Sequence, residues 1–254
     1  RLDPYPWQVE AIKALSLGKI ALGGKSVALV APNGSGKTSN CIAPAILYFL
    51  TCFPRGQVPV TSSSWMQVEK QLFPSLRRYM DNPFFAGWTF NKTEIRTPEG
   101  GFAVGFSTDN AGRAEGWHPK ISPDVDPVFY VLDEAKTIPD PIFTAVSRCT
   151  LFHAFITSSP GADSGTFYDC FHKNSSLYYK IRVKYEDCPH IEINDPGKAA
   201  RIKKEYGEQS SFYRSAILGE FTDLDGQSVI SRRAIMELLN DPPPFLDTGE
   251  TCGG

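Results

Sequence analysis

The most constraining feature of this chain is a loop of small residues set between an apolar run and a helix-forming stretch. Ser26-Val27-Ala28-Leu29-Val30 is short, continuously apolar and rich in β-branched residues, the pattern of a strand buried on both faces. Ala31-Pro32-Asn33-Gly34-Ser35-Gly36-Lys37-Thr38 follows directly, and an apolar helix is expected from Lys37 to Leu50. Pro44 inside it should kink or break that helix. A strand, a glycine-rich turn and a helix start in this order aim backbone N–H groups and the positive end of the helix dipole at one point. That is the context of a phosphate cradle, in which Lys37 reaches the β- and γ-phosphates of a nucleotide and the Thr38 hydroxyl ligates Mg²⁺. Ala31 stands where such loops usually begin with glycine, a small change that leaves the sharp turn possible.

The rest of the chain alternates strands and helices. Helical apolar spacing marks residues 7–17, and Val58–Thr61 reads as a strand. Ser64 caps a helix running to about Met80. Short alternating runs between Trp88 and Phe106 predict a β-hairpin turning at Glu99-Gly100-Gly101. Residues 107–127 form a long loop rich in Gly, Pro and Asp. Further strands are expected at Val128–Leu132, Phe152–Thr157 and Tyr178–Tyr185, with helices near 139–148, Lys198–Tyr206 and Ser210–Leu218. The alternation implies an α/β fold with a mostly parallel sheet, whose ligands bind beyond the carboxyl ends of the strands. We divide the chain into an ATPase-type core at 1–185, a helical lid or linker subdomain at 186–225, and a linker at 226–254, where Pro242-Pro243-Pro244 and a Gly-rich end stand.

The remaining motifs fall at predicted strand ends. Asp133-Glu134 closes the strand 128–132. A carboxylate there holds the water shell of Mg²⁺, and an adjacent one serves as the base that orients the attacking water; Asp133 fits the first role and Glu134 the second. Thr157-Ser158-Ser159-Pro160 ends the next strand, where hydroxyls can bond a γ-phosphate or the catalytic water and report hydrolysis to the rest of the chain. An ordinary Ser/Thr turn before proline is the bland alternative. Gln8, in Tyr5-Pro6-Trp7-Gln8, offers both a donor and an acceptor to adenine, although a surface helix position explains it equally simply. Arg113, in the loop before the acidic strand, is a candidate for stabilising transition-state charge, against the alternative of a surface Arg paired with Glu115; Arg148 is a second candidate.

Composition excludes several classes. A net charge of −2 lacks the basic footprint of a protein that coats nucleic acid. No stretch approaches the ~20 continuous apolar residues of a membrane helix, so no membrane association is expected. The six cysteines lack C-x-x-C spacing and read as reduced, packed thiols. A zinc site drawn from Cys170-x-His172 and Cys188-x-His190 lacks the usual ligand spacing. The absence of an initiator Met leads us to expect a piece of a longer protein.

Taken in order, these motifs resemble the ATPase domain of viral large terminase subunits, the motors that package DNA into procapsids. The resemblance rests on Pro6-Trp7-Gln8, the loop at 31–38, Arg113 with Gly116, Val131-Leu132-Asp133-Glu134-Ala135, Thr157-Ser158-Ser159-Pro160 and Phe212 to Phe221. It covers about residues 1–225. In that family a segment like Leu218-Gly219-Glu220-Phe221 closes the ATPase domain and leads towards a nuclease domain. The resemblance implies a P-loop NTPase of the ASCE, RecA-like type that uses ATP and Mg²⁺. It also implies adenine contact by Gln8, coupling by Thr157, Ser158 and Ser159, and a trans-acting arginine finger at Arg113. The implied partners are double-stranded viral DNA, the portal and procapsid, the small terminase subunit, and further copies in a ring, commonly of five. Isolated, the domain is expected to be a feeble monomer, and the implied location is the host cytoplasm during infection. Family members often carry Arg or Lys inside the phosphate loop, where this chain has Asn33 and Ser35, so a trans Arg becomes more necessary. Asp223, Asp225, Asp241 and Asp247 do not form a nuclease cluster, and no nuclease activity is expected from this chain. A helicase-type translocase and a non-hydrolysing nucleotide switch are the rival readings; the catalytic Glu argues against the switch.

Overall fold

Strand β1 (Ser26–Val30) is buried along its whole length, and its side chains alternate between two cores. Val27 and Leu29 face one apolar cluster and Ala28 and Val30 another, as the two-residue period of a strand requires. The chain is described by a computed structural model, which covers residues 3–108 and 111–222. The linker at 226–254 and Asp223, Asp225, Asp241 and Asp247 lie outside those residues.

The remaining strands are β2 (Gln57–Ser62), β3 (Thr89–Asn91), β4 (Glu94–Arg96), β5 (Phe102–Gly105), β6 (Phe129–Asp133), β7 (His153–Ser158) and β8 (Tyr178–Arg182). They form one eight-stranded sheet in the order β3-β4-β5-β2-β6-β7-β1-β8. From β5 to β8 all neighbours are parallel, and β3 and β4 add antiparallel pairs at one edge. This is the α/β architecture expected. The predicted hairpin at 88–106 proves to be three strands. Glu99-Gly100-Gly101 joins β4 to β5, and a second tight turn at Lys92-Thr93 joins β3 to β4. Gly101 is obligatory there, because a Cβ would lie 2.4 Å from the Pro54 carbonyl oxygen.

Helices Pro6–Ser16 and Ala43–Cys52, with the segment Phe73–Met80, cover one face around Phe49, Phe129, Val131 and Phe155. The other face packs helix Asp140–Ser147 and an aromatic group of Phe167, Phe171 and Phe221. Pro44 marks a change of winding within the helical segment. The turns before it, Lys37–Ile42, are wound as π-helix, and Pro44 sits at the start of the α-helical part. The pattern recurs at Pro74, where π-turns Val68–Leu72 precede Phe73–Met80. A widened turn accommodates a proline ring and its missing N–H without breaking the rod.

The described residues 3–108 and 111–222 belong to one compact unit. After β8 the chain stays attached to the core, since Val183 N–H donates to the Val30 carbonyl at 2.9 Å and Tyr185, Cys188 and Ile191 are buried in the first cluster. β8 ends at Arg182 rather than near Tyr185, and a helix absent from the sequence reading, Pro189–Asn194, follows. Among the described residues no helix is long and apolar enough to cross a membrane.

Candidate nucleotide site

Three adjacent strand tips build the site. β7 lies between β1 and β6, with Val30 in register with Ser158 and Leu132 with Ile156. The loop after β1, Thr157-Ser158-Ser159 and Asp133-Glu134 therefore converge, and Ala31 N–H donates to the Ser158 carbonyl at 3.0 Å.

The loop turns through Gly34 (φ 80°) and Gly36 (φ 82°), a backbone region costly for residues with a Cβ. Asn33 and Gly34 are exposed, whereas Ala31, Pro32, Ser35 and Lys37 are buried. The Thr38 hydroxyl donates to Asp133 Oδ2 at 3.0 Å. Lys37 Nζ lies 2.8 Å from Glu134 Oε1, with both side chains largely enclosed. Two pairs of residues nearly a hundred positions apart thus meet at one point.

Asp133 also accepts the Glu134 backbone N–H through Oδ1 at 2.9 Å. Burial raises its pKa to about 6; the charge of Lys37 opposes this, Glu134 reinforces it, and the Thr38 bond opposes it. Glu134 adopts φ 50° and ψ 43° and is the one non-glycine residue with positive φ among the described residues. Holding a Glu in the left-handed region costs on the order of 1–2 kcal/mol, and such strain concentrates at functional sites. It turns the carboxylate away from the strand direction, towards Lys37 and towards Ser158, whose hydroxyl lies 3.5 Å from Glu134 Oε2.

Lys136 escapes the sequence reading. Its ammonium donates to Ser159 Oγ at 2.6 Å and to the Pro160 carbonyl at 3.4 Å, while its backbone N–H donates to Ser158 Oγ at 3.3 Å. Partial burial of the ammonium lowers its pKa, and the nearby Glu134 charge counters this. The phosphate loop carries no cation at Asn33 or Ser35, but a lysine three residues beyond Asp133 supplies positive charge on the same chain. A Lys after an acidic strand tip looks like any exposed helix-start residue, so nothing in the sequence marks it.

Gln8 is buried rather than on the surface; its Oε1 accepts the Tyr5 N–H at 3.0 Å. Its Nε2, Ser35 Oγ and Thr157 Oγ1 are buried with no hydrogen-bond partner among the described residues. Orphaned polar atoms around a loop of N–H donors, beside hydroxyl and carboxylate oxygens of the kind Mg²⁺ prefers, fit a magnesium-bound nucleotide.

Arg113 lies in a short helical turn, Ala111–Arg113, and is exposed. Its loop is fastened to the face opposite the helix Pro6–Ser16, since the Ala114 carbonyl accepts from Tyr130 OH at 3.3 Å. Glu115 pairs with Arg148 at 2.7 Å, which ties the second candidate arginine to the protein surface. Cys170-x-His172 and Cys188-x-His190 do not converge, and no cluster of three or more His, Cys, Asp or Glu side chains able to hold a metal ion occurs among the described residues. His172 stacks on Tyr168, and His190 reaches the phosphate loop.

The exit segment is locally determined as well. Gly219 (φ 71°) lies where a Cβ would come within 2.8 Å of the Val183 carbonyl oxygen, Arg214 pairs with Glu220 at 2.8 Å, and Phe221 packs among Phe167, Tyr168 and Phe171. Thr222 N–H donates to the Gly161 carbonyl at 3.1 Å, directly beyond Thr157-Ser158-Ser159-Pro160.

A glycine-rich loop after β1, an acidic tip on β6 and an extra strand between them give the chain the fold of P-loop NTPases of the ASCE, RecA-like type. Solved structures narrow the fold further. The ATPase domain of the Thermus phage P74-26 large terminase is similar over 87% of this chain and 94% of that domain, with a TM-score of 0.63 at 16% identity. The large terminase of a second, thermophilic bacteriophage in complex with ADP is similar over 86% of this chain, with a TM-score of 0.62 at 12% identity. The complex of that same terminase with ATP-γ-S gives a TM-score of 0.61. The chain spans about half, 54%, of the ADP-bound terminase chain. No protein-family model matches the sequence, and no curated protein matches it. The chain therefore has the fold of a large terminase ATPase domain.

Proposed function

We propose that this chain is an ATP-hydrolysing motor domain of a viral genome-packaging terminase. The observation that carries the reading is the meeting of Thr38 with Asp133 and of Lys37 with Glu134 across nearly a hundred residues. Lys37 and the loop N–H groups of 33–37 bind the phosphates of ATP, and Gln8, with its unpartnered Nε2, contacts the adenine. Thr38 and Asp133 would hold Mg²⁺, which would supply positive charge against the phosphates. Glu134 orients the attacking water and takes its proton. Ser158 and Ser159, bonded to Glu134 and Lys136, pass the outcome towards Gly161 and Thr222. Arg113, on its exposed loop, acts on the ATP of a neighbouring copy in a ring around double-stranded DNA, docked on the portal of a procapsid in the host cytoplasm, with the small subunit as a further partner.

The test is ATP turnover of the protein alone and mixed with double-stranded DNA and portal. The expected result is weak turnover alone and stimulation by the mixture. Binding of ATP with no turnover under any of these conditions would favour a nucleotide switch and remove the motor reading. DNA unwinding by the isolated chain would favour a helicase-type translocase.

A further inference from the structure

His190 closes a hydrogen-bond chain onto the phosphate loop. Its Nε2 lies 2.8 Å from the Gly34 carbonyl oxygen, an acceptor only, so Nε2 carries the proton and donates. Its Nδ1 lies 2.9 Å from Tyr5 OH, and its backbone N–H donates to that oxygen at 3.3 Å. Tyr5 OH therefore accepts from the backbone and donates to Nδ1, and the Tyr5 backbone N–H donates to Gln8 Oε1. Every donor in this relay has one acceptor. The rings of Tyr5 and His190 stack at 5.3 Å with an interplanar angle of 19°. Three stretches far apart in sequence, at 5–8, at 34 and at 190, are thus joined.

The contact falls where the loop has little else to hold it. Gly34 is exposed, has φ 80°, and no atom would lie within 4 Å of a Cβ built on it. Side-chain packing does not fix that peptide, yet the direction of the loop N–H groups depends on it. Helix Pro189–Asn194 has its own anchor in the core through Ile191, so the imidazole is presented from a packed element.

We propose that His190 is a positioning residue for the phosphate loop: its Nε2–H holds the Gly34 carbonyl and thereby sets the loop in the geometry that receives phosphates. The proposal rests on the nucleotide-site reading above and adds a residue from the segment after β8 to it.

The experiment compares wild type, His190→Ala, His190→Gln and Tyr5→Phe by deuterium uptake of residues 31–38 without nucleotide and by ATP-γ-S affinity with Mg²⁺. His190→Ala is expected to raise uptake at 31–38 and to weaken ATP-γ-S binding about fivefold, with kcat changed less than about twofold and Tm little changed. Gln can place a donor near the Nε2 position, so His190→Gln should recover most of both losses. Tyr5→Phe keeps the ring and loses the hydroxyl, giving a smaller rise in uptake that remains readable if His190→Ala folds poorly. Unchanged uptake and affinity in His190→Ala, or in Tyr5→Phe where His190→Ala does not fold, would overturn the proposal. So would a His190→Gln variant as impaired as His190→Ala. Failure of wild type to bind ATP-γ-S would remove the nucleotide reading, while uptake at 31–38 would still decide whether His190 positions the loop.

Discussion

The tips of β1 and β6 and the loop carrying Arg113 are held in opposite ways. Lys37, Thr38, Asp133 and Glu134 sit on strand ends and a helix start, enclosed and bonded to one another. Arg113 sits on an exposed turn, and its loop is tied to the core through buried Ala114, whose carbonyl accepts from Tyr130 OH and Cys149 Sγ. Groups that must act together within one molecule are placed by the sheet. Under the proposed function Arg113 reaches another molecule, and such a group has to stay at the surface.

Lys37→Ala should produce the largest effect that tests this contrast, a loss of ATP turnover of at least about 100-fold. Retained turnover would mean that the enclosed cluster is not where phosphates bind. Arg113→Ala should cost about 10-fold or more, and only where copies assemble. In wild type, turnover per molecule should then rise with protein concentration. A flat concentration dependence combined with loss of turnover in Arg113→Ala would mean that Arg113 acts within its own chain and would erase the contrast.

Smaller effects probe how the loop is fastened. Tyr130→Phe removes one buried hydroxyl from the Ala114 carbonyl and should lower stability by about 1 kcal/mol, read from denaturant unfolding. The Arg113 loop should become more accessible to protease. Asp126 should give the smallest effect at neutral pH and the most specific one in acid. Burial alone raises its pKa, but N–H groups of Lys120, Ser122 and Ile121 outweigh this and hold it below the ordinary carboxylate value. A lowered folded-state pKa contributes stability that is present above the unfolded value, about 3.9, and lost as pH falls through the folded one. Asp126→Asn should therefore melt earlier than wild type at pH 7, and the gap should begin to narrow near about pH 4 and close only below the folded-state pKa. A gap independent of pH would show that the carboxylate charge does not fasten the loop.

The strand tips are legible in the sequence because their signals are local. An apolar run, a small-residue loop and a Lys-Thr pair, or an apolar run and two carboxylates, each state their context within a few residues. The sheet then joins them, as expected for ligand sites beyond the carboxyl ends of parallel strands. Lys136 and His190 are illegible for the opposite reason: their partners are Ser159 and Gly34, and only the fold brings those close. Pro44 is legible as a discontinuity, and the structure gives its form: π-turns precede it and α-helix follows. The third edge strand stays hidden because β3 and β4 have three residues each, too few for a period of two to register.

Glu134 offers the most direct test. Glu134→Gln keeps the size of the side chain and a hydrogen-bonding oxygen near Lys37 while removing the base. Mg-ATP affinity and turnover should be measured on the same preparation, at concentrations where wild type is active. ATP should bind within a few-fold of wild type while kcat falls by about 10²-fold or more. Turnover equal to wild type in Glu134→Gln would contradict the assignment of this strained carboxylate as the base, and with it the hydrolytic centre at these strand tips.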